Sequence, residues 1–128
     1  MPDTSPERLD HDAATLPISE IASYLQDALG QRVTAHLVGS RDSKQIGRYC
    51  KTDGPAPHPT TDLRLREGYK IVRLIVECFD DQTARAWLFG TNTQLDDEAP
   101  VDLLRRATQP THFAQVRAAA RQLVSFET

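Results

Sequence analysis

The sequence predicts an all-α fold, and three observations predict it. Apolar residues recur at helical spacing, first and most clearly at Ile18, Ile21, Ala22, Leu25, Ala28 and Leu29. Glycine and proline gather at the ends of such stripes, at Gly30, Gly39, Gly54, Pro55, Pro57, Pro59, Gly90 and Pro100. No run alternates apolar with polar residues long enough to compete as a strand.

Residues 1–15 are polar, acidic and proline-containing, and are expected to form a disordered arm. The stripe from Ile18 gives the first helix, which Gly30 ends. A short second helix fits "RVTAHLV", residues 32–38, with Ala35 and Val38 inward and Gly39 as its stop. A third opens at Asp42, whose carboxylate is expected to accept backbone N–H groups, with Gln45 completing a capping-box pattern. Ile46 and Tyr49 share one face of it, with Cys50 beside them. "DGPAPHP", residues 53–59, reads as a rigid connector. The longest helix follows from a cap at Thr61 or Asp62 and includes "IVRLIVECF", apolar on nearly every side and therefore the expected spine. Asp80 caps a fifth helix that runs to Phe89, and Gly90 closes it. Pro100 suits the first turn of a sixth, where its missing N–H costs nothing. After "TQPT" a seventh carries Phe113, Val116, Ala120, Leu123 and Val124 on one side.

A chain of 128 residues suits one compact domain or two small helical modules sharing a core. No apolar run approaches the ~20 residues of a membrane span, and the acidic start lacks the cationic and apolar parts of a signal peptide. A cytoplasmic location with reduced thiols at Cys50 and Cys78 is therefore expected. His11, His36, His58 and His112 are scattered, and none stands in a nucleophile setting. The acids Asp96–Glu98 lack the alternating oxygen ligands and glycine of a calcium loop, and no phosphate-cradling glycine loop exists. The reading is thus of a non-enzyme without catalytic residues, metal or cofactor.

Net charge is −3, but its distribution is uneven. Residues 1–30 set Arg8 against Asp3, Glu7, Asp10, Asp12, Glu20 and Asp27, whereas residues 31–51 set Arg32, Arg41, Lys44, Arg48 and Lys51 against Asp42 alone. A basic segment between acidic flanks is what a local phosphate-binding face requires. The same segment fits a helix-turn-helix. Ala35 is the small residue that lets the second helix cross closely, and Gly39, four residues on, enters the turn. Ile46 and Tyr49 anchor the second helix, one residue beyond the commonest spacing, so the turn is slightly longer. Arg41, Ser43, Lys44, Gln45, Arg48 and Lys51 then remain to reach bases and phosphates. The alternative is a helical hairpin whose charges merely solvate it. One such module neutralises few phosphates, so sequence-specific binding of an operator implies a homodimer or higher oligomer, with half-sites about 34 Å apart.

The remaining signal lies in "AWLFGTNTQLDDEAPVDLL", followed by "THFAQVRAAARQLV". A tryptophan anchors a loop well, and Asn92 beside Gly90 and Thr91 suits a turn. This stretch resembles the toxin-binding domain of the Xre/MbcA/ParS antitoxin family. Trp87, Leu88, Asn92, Leu95, Pro100, Asp102, Leu103 and Leu104 match its pattern, while Thr91 stands where that family usually has proline. The resemblance implies an Xre-type helix-turn-helix in residues 16–59 and a toxin-binding and dimerisation domain in residues 60–128, sharing a long central helix. It further implies an antitoxin that represses its own operon and blocks a RES-domain, NAD-degrading toxin. Toxin contacts are then expected at Trp87, Asn92 and Leu95, and at Arg117, Arg121, Phe126 and Glu127, whose helix and tail would enter the toxin cleft as an anionic plug. The competing reading is a stand-alone helical interaction module, or a regulator without a toxin.

Overall fold

A computed structural model describes residues 3–125. Every regular element among them is helical, and the sole strand-like feature described is one isolated bridge between Asn92 and Glu98. The all-α expectation holds at that level. No helix among the described residues is long and apolar enough to cross a membrane.

The first element corrects the sequence reading. Residues expected to be a disordered arm form α1, Pro6–Thr15. Ser5 caps it by accepting from the Arg8 N–H at 3.3 Å, and Pro6 occupies its first turn, where the lost donor is harmless. Its few apolar residues suffice because Leu9 and Ala13 are both buried, while its acids meet cations from far along the chain.

α2, Ile18–Leu29, buries Ile21, Ala22, Leu25, Ala28 and Leu29 as the stripe predicts. Gly30 separates it from α3, Gln31–Val38, whose buried Thr34 hydroxyl lies within hydrogen-bond reach of the Gly30 and Leu25 carbonyls. α4 is shorter than its sequence suggests, Lys44–Tyr49.

α5 begins earlier than expected, at Pro59 rather than after Thr61 or Asp62, and runs Pro59–Cys78. The proline that reads as part of a connector instead presets the first helical turn. At twenty residues α5 spans about 30 Å and packs against α1, α2 and α3. Leu65, Tyr69, Ile71, Val72, Leu74 and Ile75 are buried along it, which makes it the spine. Gly68 lies against α3: a Cβ there would sit 2.9 Å from Cδ2 of Leu37, so a larger residue requires the Leu37 side chain to shift.

α6, Asp81–Phe89, is capped by Asp80, which accepts from the Thr83 N–H at 2.7 Å. The Thr83 side chain first, and its N–H second, hold the Asp80 carboxyl below the usual carboxylate range. A 3-10 turn at Thr93–Leu95 leads to α7, Pro100–Arg106, with Pro100 at its start as predicted. A second 3-10 turn, Pro110–Phe113, precedes α8, Ala114–Ser125. Phe113, Val116 and Ala120 are buried, and Leu123 and Val124 pack on the core less completely.

Among the described residues one contiguous core runs through the eight helices, and α5 also packs against α6, α7 and α8. Arg64 on α5 fastens its two sides, donating from Nη1 to the Val38 carbonyl at 2.9 Å and from Nε to the Ala107 carbonyl at 2.8 Å.

Candidate nucleic-acid interface

The basic segment folds into α3, a turn at residues 39–43, and α4. Gly39 makes the turn possible, since its φ of +76° is left-handed and Arg64 Nη1 lies 2.8 Å from where a Cβ would stand. Ile46 at 0% exposure and Tyr49 at 7% hold α4 against α2 and α3, with Ala35 buried at the crossing. This is the anchoring that the spacing predicts.

On the other side, Arg41, Lys44, Arg48 and Lys51 are exposed, and Ser43 and Gln45 are half-buried. The cap at Asp42 forms in part, its Oδ1 accepting from the Lys44 N–H at 3.0 Å. The capping box does not. Gln45 turns instead to Arg48, whose Nη1 donates to Gln45 Oε1 at 2.6 Å and to Asp42 Oδ2 at 3.3 Å. The Gln45 amide thus takes the charge-assisted partner. α4 has only six residues, so about 9 Å of helix is presented.

The electrostatic contrast with the rest of the molecule is sharp. Arg8, Arg66, Lys70, Arg73, Arg106 and Arg117 all meet carboxylates, and Arg85 donates to the Ala28 carbonyl. Among the described residues, Arg32, Arg41, Lys44 and Lys51 meet neither carboxylate nor carbonyl. Four cations thus stand without such partners along one segment, Arg32 on α3, Arg41 in the turn, Lys44 on α4 and Lys51 just beyond it.

The residues expected to contact a toxin are placed unevenly. Leu88 is fully buried and Trp87 half-buried against the core. Leu95, at 1% exposure, is an internal anchor of the loop rather than a contact surface. Its enclosure follows from the tight turn around it: Asn92 Oδ1 accepts from the Gln94 N–H at 2.9 Å, and the Asn92 carbonyl accepts from Leu95 and Asp97. The left-handed residues of that turn are Asp96 and Asp97, with φ of 56° and 63°, and not Asn92. Aspartate tolerates that region better than most side chains, which gives "DDE" a conformational role.

Arg117 pairs with buried Glu67, and Arg121 donates to the Thr4 carbonyl at 3.0 Å. Both line a groove of about 190 Å³ between α1, α5 and α8, which neither Trp87 nor Asn92 reaches. Phe126 and Glu127 lie outside the described residues. Phe89, which the sequence reading passed over, is 49% exposed and stacks on His36, ring centroids 5.8 Å apart. Nothing in its local pattern marks it, because its ring partner His36 lies on another helix.

Cys50 is half-buried and Cys78 exposed, both as free thiols. No group of three or more His, Cys, Asp or Glu side chains among the described residues is placed to hold a metal ion. No family model matches the sequence, and neither a curated protein nor a solved structure is significantly similar to it.

Proposed function

We propose that the protein is a DNA-binding regulator of the antitoxin type. In this reading α3, the turn and α4 act as a helix-turn-helix, and the flank bearing Arg41, Lys44 and Lys51 lies along a duplex. The observation that carries it is the set of unpaired cations on the outward side of a helix pair clamped by Ile46 and Tyr49. Solvated cations release counterions when they meet phosphates, whereas cations already paired to carboxylates release fewer. Because α4 is short, each copy reaches few phosphates, and a homodimer on half-sites about 34 Å apart supplies the rest.

The antitoxin assignment rests on the resemblance of residues 84–107 to the Xre/MbcA/ParS family. The partner is then a RES-domain, NAD-degrading toxin, bound through the surface around Trp87, Asn92 and the C-terminal helix.

Fluorescence anisotropy with the DNA upstream of the protein's own coding sequence tests the first part. Wild type is expected to bind with steep salt dependence, and Lys44→Ala combined with Lys51→Ala to reduce the log–log slope by about 1.8, near 0.9 per phosphate contact. A wild-type protein that binds no duplex at low salt overturns the proposal. Coexpression with an adjacent toxin gene, followed by measurement of cellular NAD, tests the second part.

A second reading, a protein-interaction module that never touches DNA, draws on exposed Phe89 beside His36. It predicts no DNA binding and a partner contact abolished by Phe89→Ala.

A further inference from the structure

We propose that the DNA interface extends beyond α3 and α4 onto α7, where Arg105 joins Arg32, His36 and Arg41 in seating a backbone phosphate of the bound duplex. The inference rests on the DNA-binding reading above and deepens it by adding Arg105, which lies outside the basic segment, to the phosphate contacts.

An open groove of about 440 Å³ runs between the outer side of α3 and the end of α7, lined by Arg32, His36, Ser40, Arg41, Ser43 and Arg105. Four of these side chains are basic, two carry hydroxyls, and none is a carboxylate. The nearest acid to the His36 ring is Asp102, with Oδ1 4.0 Å from Nε2 at the groove's border.

Arg105 is the informative member. It arrives from 69 residues away in the chain, and its Nη1 lies against the His36 imidazole. It is half-buried, and no described carboxylate stands within ion-pair distance of it. Arg64 lies close enough that burial first, and the charge of Arg105 second, lower its pKa. Arg64 is taken up by the Val38 and Ala107 carbonyls, so of the two neighbouring guanidiniums Arg105 is the one left to meet an external anion. Its planar fork has five N–H donors, of which the imidazole engages one nitrogen, leaving a set suited to phosphate oxygens.

The position of the groove favours a phosphodiester of duplex DNA over an isolated anion. Arg41 and Ser43 line it and lead directly into Lys44, so a strand whose neighbouring phosphate sits at Lys44 passes across the groove. The Ser40 and Ser43 hydroxyls add neutral donors of the kind that position a backbone without reading bases.

The test titrates a fluorescent duplex with the full chain at several salt concentrations, comparing wild type with Arg105→Gln, Arg32→Gln, and Lys44→Ala/Lys51→Ala. Arg105→Gln and Arg32→Gln are each expected to weaken binding roughly tenfold at low salt and to lower the salt slope by about 0.9, equally on specific and unrelated sequences. Thermal melts monitor folding, and exposed Arg32 serves if the Arg105 variant fails to fold. Wild-type affinity and slope in the folded groove variants, with binding weakened in the Lys44/Lys51 variant, overturn the groove and leave the DNA-binding reading standing. If wild type binds no duplex, both fall together.

Discussion

Two stretches of the chain carry much of its positive charge and use it in opposite ways. On α5, each cation is engaged. Arg64 holds two carbonyls, and Arg66 holds Asp62 together with the Ala13 and Leu16 carbonyls. Lys70 meets Asp10 and Glu67, and Arg73 meets Asp12, Glu77 and the Tyr69 hydroxyl. Of the arginines and lysines from Arg32 to Lys51, only Arg48 meets a carboxylate among the described residues. The first set fastens helices to one another. The second contributes little to the fold and remains available to an external anion. Charge count alone does not separate the two; partnering does.

The strongest way to break the comparison is Arg73→Ala. It leaves Glu77 without its ion-pair partner and Asp12 with Arg8 alone, at side chains 23% and 15% exposed, and removes the hydrogen bond to Tyr69. A loss of about 3 kcal/mol in urea unfolding is expected. A loss no larger than that of an ordinary surface substitution would remove the α5 side of the contrast.

Arg66→Ala ranks next. It leaves the Ala13 and Leu16 carbonyls without their donor at the end of α1, for about 2 kcal/mol, and should speed amide exchange in residues 9–16 more than elsewhere. Uniform exchange changes would show that α1 is not held locally.

A smaller effect comes from acid. The hydrogen bond from Arg73 holds the Asp12 carboxyl below its ordinary value of 3.8, against the effect of burial and with help from the charge of Arg8. A carboxyl lowered by folding stabilises fully above that ordinary value, and the contribution disappears as pH falls through the lower folded value. Below about pH 4, wild type should therefore lose more stability than Asp12→Asn, which lacks the titrating group. Parallel acid curves for the two proteins would detach Asp12 from the network.

The smallest effect sharpens the other side. Lys44→Ala with Lys51→Ala should change unfolding stability by less than about 0.5 kcal/mol, because neither side chain has a partner to lose. A larger loss would mean that these cations also serve the fold.

The local signals in the sequence survive in the structure where the deciding interaction lies within one helical turn. Asp80 and Pro100 start helices as read, and Gly30 and Gly39 end them, because a cap, a missing donor or a positive φ is settled by a few neighbouring residues. α1 was not legible, because Leu9 and Ala13 form too sparse a stripe and its docking depends on Arg66, Lys70 and Arg73, about fifty to sixty residues on. In the candidate site, the clamp of Ile46 and Tyr49 and the exposure of Lys44 and Lys51 were legible from helical spacing. The burial of Leu95, the diversion of Gln45 to Arg48, and the arrival of Arg105 at His36 were not. Each is decided by a tertiary neighbour or by competition between partners.

The clasp that Arg64 makes between the ends of α3 and α7 bears on how the molecule can be taken apart. Cutting the backbone at residues 59–60, where two modules would be divided on sequence grounds, severs no hinge. It leaves α2 and α3 without the helix they lie on, and the other fragment with an uncovered apolar seam. Heating should therefore melt the whole chain in a single cooperative step, and neither half, expressed alone, should give a sharp transition of its own.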